Sequence, residues 1–182
     1  LLATGMNPAG YTAGMVRLSW LMTPATICLA IPMYEQFRVL RRNLKAILAG
    51  VIAGSVACMG TILTLGLLLE FDQELIVSLL PKSVTTAIGV SLSELFGGMA
   101  GVTTAVIIVT GIGGNMLGPV LCKLFKIEDP VAQGVAFGTA AHVIGTAKAN
   151  ELSQLTGAAS SLSLVVAGLL TAVLMPTLTH IM

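Results

Sequence analysis

Long uncharged runs alternate along this chain with short polar stretches, and the runs fix the architecture. Residues 46–69 are 24 positions without a charge, about 36 Å as a helix, enough to cross hydrocarbon with some tilt. Residues 102–121 are likewise apolar on every face. Strands of a lipid-facing barrel would instead alternate apolar and polar positions, so helices are predicted as the spanning unit. A first run, 18–33, carries Pro24 and Pro32. Each proline removes a backbone donor and crowds the turn before it, so this span is predicted to be kinked or broken. The last run, 158–174, is followed by Pro176.

Two further stretches do not read as ordinary spans. In residues 75–96 an apolar start runs into Pro81, Lys82, Ser83, Val84, Thr85 and Thr86, and residues 130–151 carry Gly134, Gly138, His142, Gly145 and Lys148. Both are too polar to face lipid. Polar or broken backbone survives at membrane depth only where protein or water surrounds it, so both are predicted to be re-entrant or discontinuous helices. Arg38, Arg41, Arg42 and Lys45 form a basic connecting loop, which the positive-inside rule puts in the cytoplasm. Glu70, Asp72 and Glu74 then form an outer turn. If the first polar stretch enters from outside and returns, the 102–125 span runs inward and delivers Lys123 and Lys126 to the cytoplasm. Two interrupted segments entering from opposite faces are the pattern of an inverted repeat, with a substrate site between them.

Composition sharpens this picture. Hydrophobic residues make up 55% and charged residues 9%, against roughly 25% charged in soluble proteins. With a mean hydropathy of +0.97, a water-soluble domain is excluded. A net charge of +1 with scattered basic residues excludes a nucleic-acid footprint. Cys28, Cys58 and Cys122 lie in or beside apolar runs without metal or disulfide spacing and read as buried small hydrophobes. No linker divides the chain, so residues 1–182 read as one transmembrane domain, and the apolar context at Leu1 reads as the remainder of a longer protein whose amino-terminal spans are missing.

Candidate chemistry sits in the two polar stretches. If residues 82–94 are helical, Lys82, Thr85, Thr86, Gly89 and Ser93 share one stripe. With Pro81 in the first turn, free backbone amides and the Lys82 ammonium would favour a carboxylate. The plainer reading is a lysine reaching for the interface. Thr139, His142, Thr146 and Asn150 make a matching stripe in the second stretch. A lone histidine is commonly a packing residue. An ionisable group in an apolar, glycine-rich membrane segment is nonetheless a functional candidate, able to orient a carboxylate or carry a proton. Asn115, inside the glycine-rich 110–119 segment, lines the site or caps a deformation. Glu94 is a partner for Lys82 or an interface carboxylate, Lys148 and Glu151 are spaced to pair, and His180 is interfacial. The 50–54 glycine spacing indicates close helix packing only. No catalytic constellation, metal-ligand set or cofactor motif is present in the sequence: Ser83 follows Lys82 directly and so points about 100° away on a helix.

The blocks LLPKSVTT (79–86), KIEDPVAQGVAFGTAAHVIGTAKA (126–149) and PATICLAIPMY (24–34) together resemble the LrgB/CidB family, antiholin-like membrane proteins of bacteria and plastids, over nearly the whole chain. Thr23 stands where that family commonly has glycine, Ala87 where proline follows the paired threonines, and Val143 where glycine follows the histidine. The resemblance implies a multi-pass protein of the bacterial inner membrane working with a small LrgA-type membrane partner. It implies one of two activities, movement of small monocarboxylates such as pyruvate, glycolate or glycerate, or holin and antiholin control of murein hydrolase export and lysis. It supplies no catalytic residues. The resulting expectation is an all-α polytopic transporter, not an enzyme. Lys82, Ser83, Thr85 and Thr86 receive a carboxylate, and Thr139, His142 and Thr146, with Asn115 nearby, face it from the other half. A homo-oligomer in contact with membrane lipid is expected, without nucleic acid or cofactor.

Overall fold

The positions of the backbone breaks decide this architecture, and they fall in the polar stretches. The computed structural model describes residues 22–180, whose regular elements are all helices. The helices are α1 (Met22–Glu35), α2 (Phe37–Leu68), α3 (Gln73–Leu79), α4 (Thr86–Leu95), α5 (Ala100–Leu124), α6 (Pro130–Leu152) and α7 (Gln154–Thr179). Helices α2, α5 and α7 are long and apolar enough to cross a membrane. The start of the 18–33 run and the side chains of Thr23 and Pro24 lie outside the described residues. Pro32 stays inside α1, and the chain leaves that helix at Glu35 before α2 begins.

The basic run does not form a loop as expected. Arg38, Arg41, Arg42 and Lys45 are in the first turns of α2, because arginine, lysine and leucine are good helix formers and this run holds no glycine or proline to stop a helix. Along α2, Leu40, Ile47, Val51, Ser55 and Met59 are buried on one face. Ile47 and Val51 pack with Ala158, Ala159 and Ala167 of α7 in the largest apolar cluster.

Helices α3 and α4 form a short hairpin. Ile76 fits against Gly66 near the end of α2, while Ser83 in the turn reaches Cys58, with Sγ and Oγ 3.4 Å apart. The chain then returns, so that Gly89 sits against the Pro81 carbonyl. The predicted continuous helix over 82–94 is therefore shorter. It starts at Thr86, with Thr85 as its cap and Lys82 in the preceding turn. Position 85 is extended (φ −59°, ψ 145°), which ends any stripe shared by Lys82 and Thr86. This hairpin is tied to α5 by a polar knot. The Ser78 hydroxyl accepts from the Met99 amide at 2.7 Å, Thr103 donates to the Ser78 carbonyl at 2.9 Å, and the Thr103 and Ser93 hydroxyls are 2.7 Å apart.

Helix α6 is a second hairpin. Ala141 (φ −126°, ψ 28°) and His142 (φ 40°, ψ −149°) are not helical, and the chain reverses there. Gly145 stands against the Phe137 carbonyl, although eight residues of unbroken helix would separate them by about 12 Å. Both Gly138 and Thr146 meet Ser160 of α7. The predicted stripe Thr139, His142, Thr146 and Asn150 is thus divided between two limbs. Glycines make the packing possible. A Cβ at Gly134 or Gly138 would run into the α7 backbone at Thr156 or Ser160. Ala141, His142 and Phe137 occupy notches at Gly114, Gly111 and Gly118 of α5.

The two turns lie near the same height. Cys58 is thirteen residues after Lys45 and twelve before Glu70, the charges that bracket the apolar part of α2. Thr139 on the first limb of α6 fits against Gly54, one turn from Cys58.

Candidate functional site

A cavity of about 490 Å³ separates the two hairpin turns along α2. Its wall brings together Lys82 from the first hairpin, Thr139 and Ala140 from the second, and Gly54, Cys58 and Thr61 from α2. Lys82 and Thr139, assigned from sequence to opposing halves, therefore face one space. The Lys82 ammonium donates to Ser83 Oγ at 3.3 Å, and the Ser83 hydroxyl sits against Cys58 Sγ. Among the described residues no carboxylate lies within 4 Å of Lys82. Glu94 is exposed. A single cation bordered by Val135, Ala136, Ile62 and Leu65 attracts an anion more strongly than it would in water, because the apolar walls lower the local dielectric.

Thr139 is the second polar group of the wall. It is 6% exposed, its methyl lies against Gly54, and its buried hydroxyl has no hydrogen-bond partner among the described residues. An unpartnered buried hydroxyl costs about 1–3 kcal/mol. Thr139→Val keeps the shape and removes that hydroxyl. The expected result is a melting midpoint unchanged or raised, together with weakened solute uptake. A lowered midpoint with unaltered uptake would assign the hydroxyl to packing.

The remaining sequence candidates are spent elsewhere. Thr85 caps α4, accepting from the Ile88 amide at 3.4 Å, and Thr86 is exposed at the start of that helix. His142 is buried; its Nε2 is 2.7 Å from the Ile107 carbonyl of α5. A carbonyl only accepts, so Nε2 carries the hydrogen. Its positive φ is a conformation that favours glycine, so the hydrogen bond and the Gly111 notch hold a strained turn. Thr146 donates to the His142 carbonyl at 3.0 Å and lies 2.9 Å from Ser160 Oγ. Asn115 donates to the Ile144 carbonyl at 3.3 Å. His142, Thr146 and Asn115 do not line the cavity. They set the shape of the second hairpin that presents Thr139. Lys148 and Glu151 form the predicted ion pair at 2.7 Å.

Sequence reading missed the α2 wall. Gly50, Gly54, Cys58, Thr61 and Leu65 recur at helical spacing along one face, a strip of small and polar residues on an otherwise apolar span. That periodicity was the available signal.

The sequence profile of the LrgB-like family matches residues 1–181. Over 182 residues the chain is 37% identical to the uncharacterized protein YwbG of Bacillus subtilis (strain 168), covering all of this chain and 81% of that protein. Over 178 residues it is 33% identical to the holin-like protein CidB of Staphylococcus epidermidis in two strains, covering 98% of this chain and 78% of that protein. No solved structure matches.

Proposed function

We propose, from the premise that the chain belongs to the LrgB-like family, that this membrane protein acts in the holin-like manner of its CidB relative. In this reading it controls the passage of small solutes across the bacterial plasma membrane, working with an LrgA-type partner. The observation that carries it is the meeting of two hairpin turns, one bearing Lys82 and the other Thr139, on a cavity midway along α2. Backbone that leaves the helix at that depth is tolerated where it borders water or protein, which makes this seam the natural route. We take both hairpins as re-entrant and entering from opposite faces. The pair α2 with its hairpin and the pair α5 with its hairpin then form an inverted repeat.

A second reading is favoured by one specific observation. Lys82 has no carboxylate neighbour among the described residues and stands in a largely apolar cavity, which suits one carboxylate on a small body. Saturable carriage of a monocarboxylate of the pyruvate, glycolate or glycerate class would use Lys82 with Ser83 for the carboxylate and Thr139 for the oxo or hydroxy group.

Proteoliposomes with and without the LrgA-type partner decide between the readings. A holin-like passage admits unrelated small solutes without saturation and conducts in planar bilayers. A carrier saturates and exchanges labelled pyruvate or glycolate for unlabelled acid. Absence of any solute flux in either preparation would overturn both.

A further inference from the structure

A second pair of spaces lies on the other side of the first limb of α6. Between this limb and α5 runs an apolar slot of about 320 Å³, its floor formed by Gly113, Gly114 and Gly118 with Leu117 beside them. Among the described residues nothing stands within 4 Å of a Cβ placed at Gly113, so there is room at that position. Towards the end of α5 lies a pocket of about 260 Å³ lined by Lys123 and Lys126. The two spaces share Cys122 and Ile127 in their walls, so the apolar slot adjoins a cationic pocket. Lys123 lies in the last turn of α5 and Lys126 just beyond it. Glu128 also borders this pocket, yet among the described residues neither lysine has a carboxylate within 4 Å.

The location is as informative as the lining. The first limb of α6 runs parallel to α2, since Val135 meets Gly50 and Thr139 meets Gly54. Lys123 and Lys126, just before α6, therefore share an end of the bundle with Arg38, Arg41, Arg42 and Lys45. By the distribution of basic residues this is the cytoplasmic end. An apolar slot between two helices, adjoining a pocket with two lysines at the end of the bundle, suits a ligand that is apolar along its body and anionic at one end.

We infer that this is a binding site for an anionic phospholipid, with an acyl chain in the slot between α5 and α6 and the phosphate between Lys123 and Lys126. The wall behind the chain is shared. Ala136 and Ala140 line both the slot and the central cavity, so a bound lipid supports the limb that carries Thr139.

The test uses the purified full chain in detergent, with retention of added lipid followed by native mass spectrometry. Phosphatidylglycerol should be retained in preference to phosphatidylcholine with the same acyl chains. Lys123→Gln and Lys126→Gln should each weaken that retention about fivefold, as expected for a basic residue at an anionic lipid surface. Gly113→Leu, which fills the slot and leaves both lysines, should also weaken it. Equal retention of the two lipids, or wild-type retention by Gly113→Leu, would overturn the assignment. Displacement of phosphatidylglycerol by inorganic phosphate, with Gly113→Leu unaffected, would reduce the site to an anion pocket. If Gly113→Leu instead dissociates a homodimer and leaves lipid retention intact, the slot belongs to a second copy and the proposal fails.

Discussion

Gly138→Ala is expected to lower the melting midpoint of the detergent-solubilised protein by roughly 2–12 °C, as overpacking of about 1–3 kcal/mol does in a chain of this size. The added Cβ would overlap the Ser160 carbonyl and stand 2.9 Å from both Ser160 C and Ser163 Cβ. Ser160 C is backbone and cannot rotate away, so relief requires the first limb of α6 to move off α7. That limb also presents Thr139 to the cavity, so uptake should fall with stability. Gly60→Ala is the matched control. Among the described residues nothing lies within 4 Å of a Cβ at that position in α2, and alanine is the better helix former by about 1 kcal/mol, so its midpoint should hold or rise. Equal midpoints for the two variants would mean that α6 and α7 are not in glycine-mediated contact.

The second large effect is expected at Lys82. Under the carrier reading, Lys82→Gln should reduce saturable monocarboxylate uptake by about ten- to a hundredfold, the range for losing a hydrogen bond to a charged group. Lys82→Arg should retain part of it. Arg41→Ala, which removes a charge from the first turns of α2, should leave uptake intact. Concentration series in proteoliposomes separate a raised half-saturation constant from a lowered maximal rate, and the ammonium predicts the former. If the protein is an unselective holin-like passage, Lys82→Gln leaves the flux of neutral solutes as it was. Wild-type monocarboxylate uptake in Lys82→Gln would remove the ammonium from the site.

The long apolar helices were legible from sequence because lipid tolerates so few charges. Helix α7 contains the run read at 158–174, and α2 and α5 contain all but the last residue of the runs read at 46–69 and 102–125, and the two polar stretches carry the two hairpins. The fine geometry was not legible, and the reason is local. The reversal in α6 falls at Ala141 and His142, neither of which is a glycine or proline, and it is set by partners 27 to 35 positions away, Gly114 and Ile107. A stripe drawn on an unbroken helix therefore joined Thr139 to His142 and Thr146, whose side chains turn to α5 and α7. The same difficulty applied to Thr85, whose extended backbone separates Lys82 from α4. Lys82 and Thr139 could be singled out by chemistry alone, since a cation and a hydroxyl in apolar surroundings need an explanation wherever the backbone bends. Cys58 carried no such mark, and its place beside Ser83 emerges only when the first hairpin is laid against α2.

Ile107 is fully buried and is engaged twice. Its Cδ1 lies 2.6 Å from where a Cβ on Gly89 would be, in the first hairpin, and its carbonyl holds His142 of the second. One residue thus works as a shared axle. A tilt of either hairpin would disturb the residue on which the other rests, and energetic linkage between two parts is reciprocal, so under the proposed function the two hairpins are expected to be coupled. If the seam is the route proposed above, its two doors hang on a single hinge post.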